Sequence, residues 1–183
     1  MKTQRDTIKL GKKKVNLMDL TGFIVKAKKN CYAGGGEKKI LEDGSTLLTF
    51  QEGNFYYEDN YDGQIMAPGR EIVRWKKPQG QRLWQMAYSG GIYRPYWIDE
   101  ELVEKTFTFL KEQLSKVSFD SPFRGLENER QFGEVGGIAF GYECHTEGDI
   151  STFKGREHIW AIKEGDIFTQ NYNGGLVIPK IEK

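Results

Sequence analysis

Two glutamates are the residues of this sequence whose types and spacing are best suited to chemistry. Arg70-Glu71 and Arg156-Glu157 each follow a glycine, so the same Gly-Arg-Glu pattern occurs twice. A charged pair is costly to bury unless it is partnered. The repeated pattern is interpreted as a structural Arg–Glu ion pair, as exposure at a strand start, or as a polar site, and the sequence leaves these alternatives open.

Aromatic residues accompany both glutamates at similar offsets, once a one-residue insertion and a two-residue deletion are allowed. The set is Tyr57 with Tyr142, Tyr88 with Tyr172, and Trp84. Aromatic faces attract cations, and ligand sites are concave and mostly apolar with a few polar anchors. We therefore predict an aromatic-walled cleft for a small polar-aromatic or cationic molecule. Its polar residues are Glu71 and Glu157 as anchors, with Arg70 and Arg156 beside them.

Catalysis is the alternative for the same carboxylates. Glu71 or Glu157 has the chemistry of a general base, so a hydrolase is the second hypothesis. Adjacent residues of a strand point to opposite faces, which makes Cys144-His145 a poor start for a metal site. We expect no metal and no cofactor, and a non-catalytic binding or sensing domain is favoured over an enzyme.

The sequence matches itself after a shift of about 85 residues. The matched segments are 41–43 with 126–128, 55–58 with 140–143, 69–71 with 155–157, and 88–91 with 172–175. Self-similarity at a fixed period is typical of duplicated structural units. We therefore predict an internal duplication and divide the chain into a basic arm (1–12), a first repeat (13–95) and a second repeat (96–183), which together form one compact domain.

Each predicted repeat contains one helix and about four strands. Apolar residues recur at helical spacing over 13–32 and 98–117, with Asn16 suited to cap the first helix and Gly34-Gly35-Gly36 suited to end it. Aromatic and β-branched segments separated by turn residues predict strands at about 46–51, 54–60, 70–76, 82–89, 131–135, 138–146, 157–163 and 166–173. The predicted fold is α+β, with two helix-and-antiparallel-meander halves packed around a pseudo-two-fold axis.

Charge is unevenly distributed along the chain. Residues 1–39 carry eleven basic and three acidic side chains, whereas the whole chain has a net charge of +1. Such an asymmetry is typical of a solvated basic surface or of a contact with nucleic acid or another anionic partner. The lysines of that third hypothesis are Lys12, Lys13, Lys14, Lys26, Lys28 and Lys29.

Composition narrows the class of protein further. Aromatic residues make up 13% of the chain, which favours a folded core over disorder. No apolar run approaches the roughly 20 residues of a membrane span, and the N-terminus lacks the apolar stretch of a signal peptide. Two isolated cysteines do not form a disulfide framework. We expect a cytoplasmic protein without a membrane contact, and we predict no oligomeric state.

Six segments carry motifs that resemble one known family. They are 23–35 (FIVKAKKNCYAGG), 52–63 (EGNFYYEDNYDG), 69–71 (GRE), 84–90 (WQMAYSG), 142–157 and 172–175 (YNGG). Over about residues 20–178 the chain is similar to an uncharacterised bacterial family, domain of unknown function 5680. Family members favour Asn at the position of Ala87, and Phe where this chain has Ala67-Pro68.

The resemblance implies a ligand-sensing module rather than a particular reaction. Members of this family occur alone or behind a helix-turn-helix domain, an arrangement typical of sensors. More loosely, duplicated helix-and-sheet units with a central carboxylate are similar to the effector-binding domains of multidrug-responsive regulators. Likeness of fold alone is a weak argument for function.

Overall fold

The structure is a computed structural model, and it describes residues 7–32 and 37–179. In chain order its elements are β1 (Thr7–Leu10), β2 (Lys13–Asn16), α1 (Leu17–Tyr32), β3 (Glu37–Ile40), β4 (Thr46–Glu52), β5 (Phe55–Tyr61), β6 (Gly69–Trp75), β7 (Arg82–Ile92), a 3-10 turn (Arg94–Tyr96), α2 (Glu100–Leu114), β8 (Gln131–Val135), β9 (Ile138–Asp149), β10 (Thr152–Ala161) and β11 (Gly165–Leu176). None of the described helices is long and apolar enough to cross a membrane.

Nine strands form one continuous antiparallel sheet. Its order is β3-β4-β5-β6-β7-β11-β10-β9-β8, while β1 and β2 form a separate hairpin. The first and second parts of the chain meet where β7 pairs with β11, and Tyr88 lies opposite Tyr172 in that pairing. Residues from both parts therefore come together at the centre of the sheet.

The prediction of an α+β fold made from two duplicated helix-and-meander units is wrong. The described chain is mostly β, with eleven strands and two α-helices, and five strands of the large sheet precede α2 while four follow it. The physical reason is the β7–β11 hydrogen-bonded pairing, which joins all nine strands into one sheet instead of leaving two sheets to pack around an axis.

Helix α1 begins four residues later than its apolar spacing suggested. Residues 13–16 pair with residues 7–10 as the hairpin, so they are not available to the helix. Asn16 caps α1 as predicted, because its Oδ1 accepts hydrogen bonds from the backbone N–H groups of Met18 (2.8 Å) and Asp19 (3.1 Å). The predicted glycine stop at 34–36 lies outside the described residues.

Both helices pack on the same face of the sheet. Phe107 and Phe109 of α2 contact Phe168 and Phe140, while the side chain of Lys28 in α1 reaches Glu71 on β6. Side chains on a strand alternate between its two faces, so every second residue of these strands points to the helices. The space between the helices and this face contains the core and the polar groups described below.

Candidate functional site

Five charged side chains are buried between the helices and the sheet, and we call them the buried charge cluster. They are Lys28, Asp59, Glu71, Arg124 and Glu157, and each is at most 4% exposed. Lys28 comes from α1, Arg124 from the segment after α2, and the three acids from β5, β6 and β10. Charges buried in this way persist only with close partners, so the geometry of each pair matters.

Lys28 neutralises Glu71. The lysine lies four residues after Ile24 on the apolar side of α1, so the helix carries its ammonium into the core. Lys28 Nζ donates to Glu71 Oε1 at 2.8 Å and to the Phe123 carbonyl at 2.6 Å. The Tyr32 hydroxyl donates to Glu71 Oε1 at 3.2 Å. Burial lowers the pKa of Lys28, and the neighbouring Glu71 opposes that shift.

Arg124 neutralises Glu157. Its Nε donates to Glu157 Oε1 at 2.7 Å, and its Nη2 donates to Gln170 Oε1 at 2.7 Å. The Tyr142 hydroxyl donates to Glu157 Oε2 at 2.8 Å. Burial disfavours the guanidinium charge, but Glu157 and Glu71 more than offset this and hold the pKa of Arg124 above its ordinary value.

Asp59 is the third carboxylate of the cluster, and neither cation is paired with it. The Tyr88 hydroxyl donates to Asp59 Oδ1 at 2.7 Å. Burial, followed by the negative charge of Glu71, raises the pKa of Asp59 to about 7. Asp59 is therefore the carboxylate of the cluster whose charge is least compensated.

A cavity of about 350 Å³ opens onto this uncompensated carboxylate, and we call it the inter-helix pocket. Its polar lining consists of Tyr32, Lys38, Asp59, Tyr88, Lys111, Arg124 and Gln170. Its other lining residues are Cys31, Leu48, Tyr61, Ala67, Phe107, Leu110, Leu114 and Phe168. The pocket thus combines an apolar wall with a polar floor, and its volume falls in the range of small-molecule sites.

The structure brings some of the predicted site residues together and separates others. Glu71 and Glu157 share the buried charge cluster, while Tyr88 lines the inter-helix pocket. Tyr57 and Trp84 are fully buried, and Tyr57 OH and Trp84 Nε1 have no hydrogen-bond partner among the described residues.

Tyr172 is buried beside the cluster without lining the pocket. Its hydroxyl lies 2.7 Å from Thr146 Oγ1 and 3.1 Å from Cys144 Sγ. Both partners lie on β9, across β10 from Tyr172, so the Tyr172 hydroxyl is held by other residues of the sheet.

The two arginines of the repeated pattern lie on the opposite face of the sheet from their glutamates. Arg70 and Arg156 are exposed, and Arg156 Nε donates to Thr169 Oγ1 at 3.0 Å. An ion pair within each Arg-Glu dipeptide does not form, because consecutive residues of a strand point to opposite faces. The cations that serve the glutamates come instead from α1 and from the segment after α2.

Sequence reasoning missed the roles of Asp59, Lys28 and Arg124. Lys28 was grouped with a basic surface, but it is fully buried, while Lys12, Lys14, Lys26 and Lys29 are exposed and Lys13 is partly buried. Its position on an apolar helix stripe was the available signal. Asp59 follows Tyr57 at the alternating spacing of a strand, which places both on the core face. No comparable periodicity marks Arg124, which lies outside the helices and strands.

The fold and the buried charge cluster define a mostly β protein with a pocket between its helices and its sheet. Residues 59–177 match the family described as "Domain of unknown function (DUF5680)". This match covers more than half of the chain, so the chain belongs to the DUF5680 family and the predicted resemblance is confirmed over these residues. The motif at 23–35 and most of 52–63 lie outside the match. Comparisons with curated proteins and with solved structures find no match.

The family match and the metal-ligand geometry add two constraints on the site. The matched segment contains Asp59, Glu71, Arg124 and Glu157, whereas Lys28 precedes it. Within the two described stretches of the chain, no group of three His, Cys, Asp or Glu side chains is placed to hold a metal ion. The polar groups that line the pocket are a carboxylate, a guanidinium, an amide, phenols, a thiol and two ammonium groups.

Proposed function

We propose that this protein is a non-catalytic binding or sensing domain for a small organic molecule, held in the inter-helix pocket. One observation carries the proposal: a cavity of about 350 Å³ has an apolar wall and a floor that contains the buried side chains of Asp59, Arg124 and Gln170. Sites for small molecules combine these two properties, because apolar contact supplies affinity and a few polar groups supply orientation.

Arg124, in the polar floor of the pocket, has several partners within the protein, which favours recognition without large rearrangement. Arg124 is fixed by Glu157 and Gln170, and its guanidinium carbon lies 5.3 Å from the centre of the Tyr88 ring. Groups fixed before binding lose little conformational entropy when a ligand arrives. Glu157 thus helps to position Arg124 in the pocket, although Glu157 itself does not line it.

The hydrolase hypothesis has less support from the same geometry. Glu71 and Glu157 are fully buried, and each is bound by a cation. A general base needs access to the proton that it removes. Neither glutamate lines the pocket, so a role as base stays a prediction, as does nucleic-acid binding through the lysines of the N-terminal region.

Filling the pocket provides the test. Ala67 lines the pocket from the segment between β5 and β6. Its backbone N–H donates to the Gly90 carbonyl, and its carbonyl accepts from Gln170 Nε2. Because both hydrogen bonds use the backbone, Ala67→Trp fills space in the pocket without removing them. Ala87→Trp is the matched control, because Ala87 is exposed on β7 and does not line the pocket. Melting curves are recorded with a library of small organic compounds.

The proposal expects compounds that raise the melting temperature of the wild type and of Ala87→Trp but not of Ala67→Trp. Binding stabilises a protein in proportion to the logarithm of ligand concentration over dissociation constant, so stronger hits give larger shifts. Shifts of equal size in both variants, or none in the wild type, would contradict binding in this pocket.

A further inference from the structure

We propose that the molecule bound in the inter-helix pocket carries a positively charged nitrogen, which pairs with Asp59. This inference rests on the proposed function and specifies the chemical class of its ligand.

The buried charge cluster holds three acids and two bases. Asp59, Glu71 and Glu157 face Lys28 and Arg124, and all five side chains are nearly or fully excluded from solvent. Buried ions stabilise a fold only when their charge and hydrogen bonds are satisfied. One further positive charge would balance the cluster.

Among the described residues, neither internal cation donates a hydrogen bond to Asp59. Lys28 Nζ contacts both oxygens of Glu71, at 2.8 and 2.6 Å, and donates to the Phe123 carbonyl. Arg124 uses Nε and Nη2 on Glu157 and Gln170, and its Nη1 lies 3.7 Å from Glu71 Oε1. Their charges are therefore directed towards the two glutamates.

Asp59 is 97% buried yet forms part of the pocket lining. The one hydrogen bond to its carboxylate from the described side chains comes from the neutral Tyr88 hydroxyl. A carboxylate in this setting gains more from a cationic donor than from a neutral one, because charge-assisted hydrogen bonds are about twice as strong. The position in the pocket that touches Asp59 thus favours an ammonium or amidinium group.

The remaining lining fits the apolar part of such a ligand. Phe107 and Phe168 contact each other in a T-shaped pair beside Leu110 and Tyr61. Aromatic rings attract cations to their faces and supply large apolar surfaces, so an amine with an alkyl or arylalkyl substituent suits the space.

Other charged and titratable groups lie around Asp59, and their charges influence whether its carboxyl group is ionised. Glu71 lies opposite it on β6, Tyr88 on β7, Lys28, Cys31 and Tyr32 on α1, and Arg124 after α2. Lys38 and Lys111 line the pocket too, but both are exposed, where water weakens their effect. An anionic ligand attracted by these two lysines is the competing outcome.

A matched series of three probes tests the charge of the ligand. Phenylbutylamine, phenylbutanol and phenylbutyrate share one skeleton and differ in a positive, neutral or negative end. Dissociation constants are measured by isothermal titration calorimetry for the wild type and for Asp59→Asn, at a pH about one unit above the pKa of Asp59. The alcohol is the internal reference for the fit of the skeleton.

The inference expects the amine to bind the wild type about tenfold more tightly than the alcohol, and the two to bind Asp59→Asn about equally. The wild type gives a second test that needs no variant. Lowering the pH through about 7 protonates Asp59, so the affinity for the amine should fall relative to the affinity for the alcohol. The inference is overturned if neither Asp59→Asn nor the change of pH alters the affinity for the amine relative to the alcohol. It is also overturned if phenylbutyrate binds the wild type most tightly.

The outcomes separate this inference from the function on which it rests. If all three probes bind and the alcohol equals the amine in the wild type, the pocket binds small molecules and the charge assignment is wrong. If none of them binds and Ala67→Trp and Ala87→Trp respond alike to the compound library, both proposals fail together.

Discussion

Lys28 and Glu71 lie 43 positions apart in the sequence and form an ion pair with neither side chain exposed, the Lys28 Nζ to Glu71 Oε1 distance being 2.8 Å. The pair connects α1 to β6 in the middle of the sheet. Because the same ammonium donates to the Phe123 carbonyl, it also ties the segment after α2 to the core. The ion pair thus joins α1, β6 and the segment after α2.

Removing the lysine alone should strongly destabilise the protein. Lys28→Met keeps most of the side-chain volume but leaves Glu71 buried without its cation, which we expect to cost about 3–5 kcal/mol of unfolding free energy. The double variant Lys28→Met/Glu71→Gln should recover much of that loss. Urea unfolding measures both, with the exposed Lys29→Met as the control; equal effects at positions 28 and 29 would refute the account.

Two buried tyrosines should respond differently to loss of their hydroxyls. Tyr142 OH donates to Glu157 and accepts from the Gly125 N–H, whereas Tyr57 OH has no partner among the described residues. Tyr142→Phe should lower the unfolding free energy by about 1–3 kcal/mol, whereas Tyr57→Phe should leave it within about 1 kcal/mol of the wild type. Chemical unfolding of the pair checks this, and a reversed order would count against the hydrogen-bond geometry.

Asp59 should make stability depend on pH with a definite sign. Its folded pKa of about 7 lies above its ordinary value of 3.8, so the folded state holds a proton that the unfolded state releases between these values. The wild type therefore loses stability as the pH rises towards 7. Over that interval the unfolding free energy of Asp59→Asn should increase relative to that of the wild type by up to roughly 4 kcal/mol.

Unfolding free energies at about pH 5 and about pH 8 bracket the folded pKa of Asp59, and between them the gain should grow by about 2–3 kcal/mol. Asp62→Asn provides a matched change at an exposed aspartate. A gain for Asp59→Asn that is the same at both pH values would show that the carboxylate is already well compensated.

Gly69 should not tolerate a side chain, because Tyr88 packs directly over it. A Cβ at position 69 would overlap the ring and hydroxyl of Tyr88, and so displace the group that binds Asp59. We expect Gly69→Ala to cost about 1–3 kcal/mol. Gly22→Ala is the control, since no atom lies near that position in α1 and helix propensity should add up to about 1 kcal/mol. Thermal unfolding that ranks the two variants in the opposite order would contradict the packing.

Local features were predictable from the sequence. The pairing of strands and of charged side chains that lie far apart in the sequence was not. The cap at Asn16 follows from side-chain chemistry, and several strand ranges, such as 131–135, follow from alternation and turn residues. The merging of the strands into one sheet depends on the β7–β11 pairing, for which adjacent sequence carries no signal.

The same limit applies to the candidate site. The two glutamates were recognisable because their pattern occurs twice, and they do lie in the buried charge cluster. Their partners were not recognisable, because Lys28 and Arg124 reach them only after both helices pack on the sheet. Pairing across 33 and 43 positions is a property of tertiary structure.

Methyl NMR of leucine-labelled protein tests the central claim most directly. Leu48, Leu110 and Leu114 line the inter-helix pocket, whereas Leu10 and Leu83 belong to the core away from its lining. Titration with phenylbutylamine should shift the first three methyl signals and leave the other two in place. Shifts spread equally over all five leucines, or absent from the pocket leucines at saturating amine, would contradict binding in this pocket.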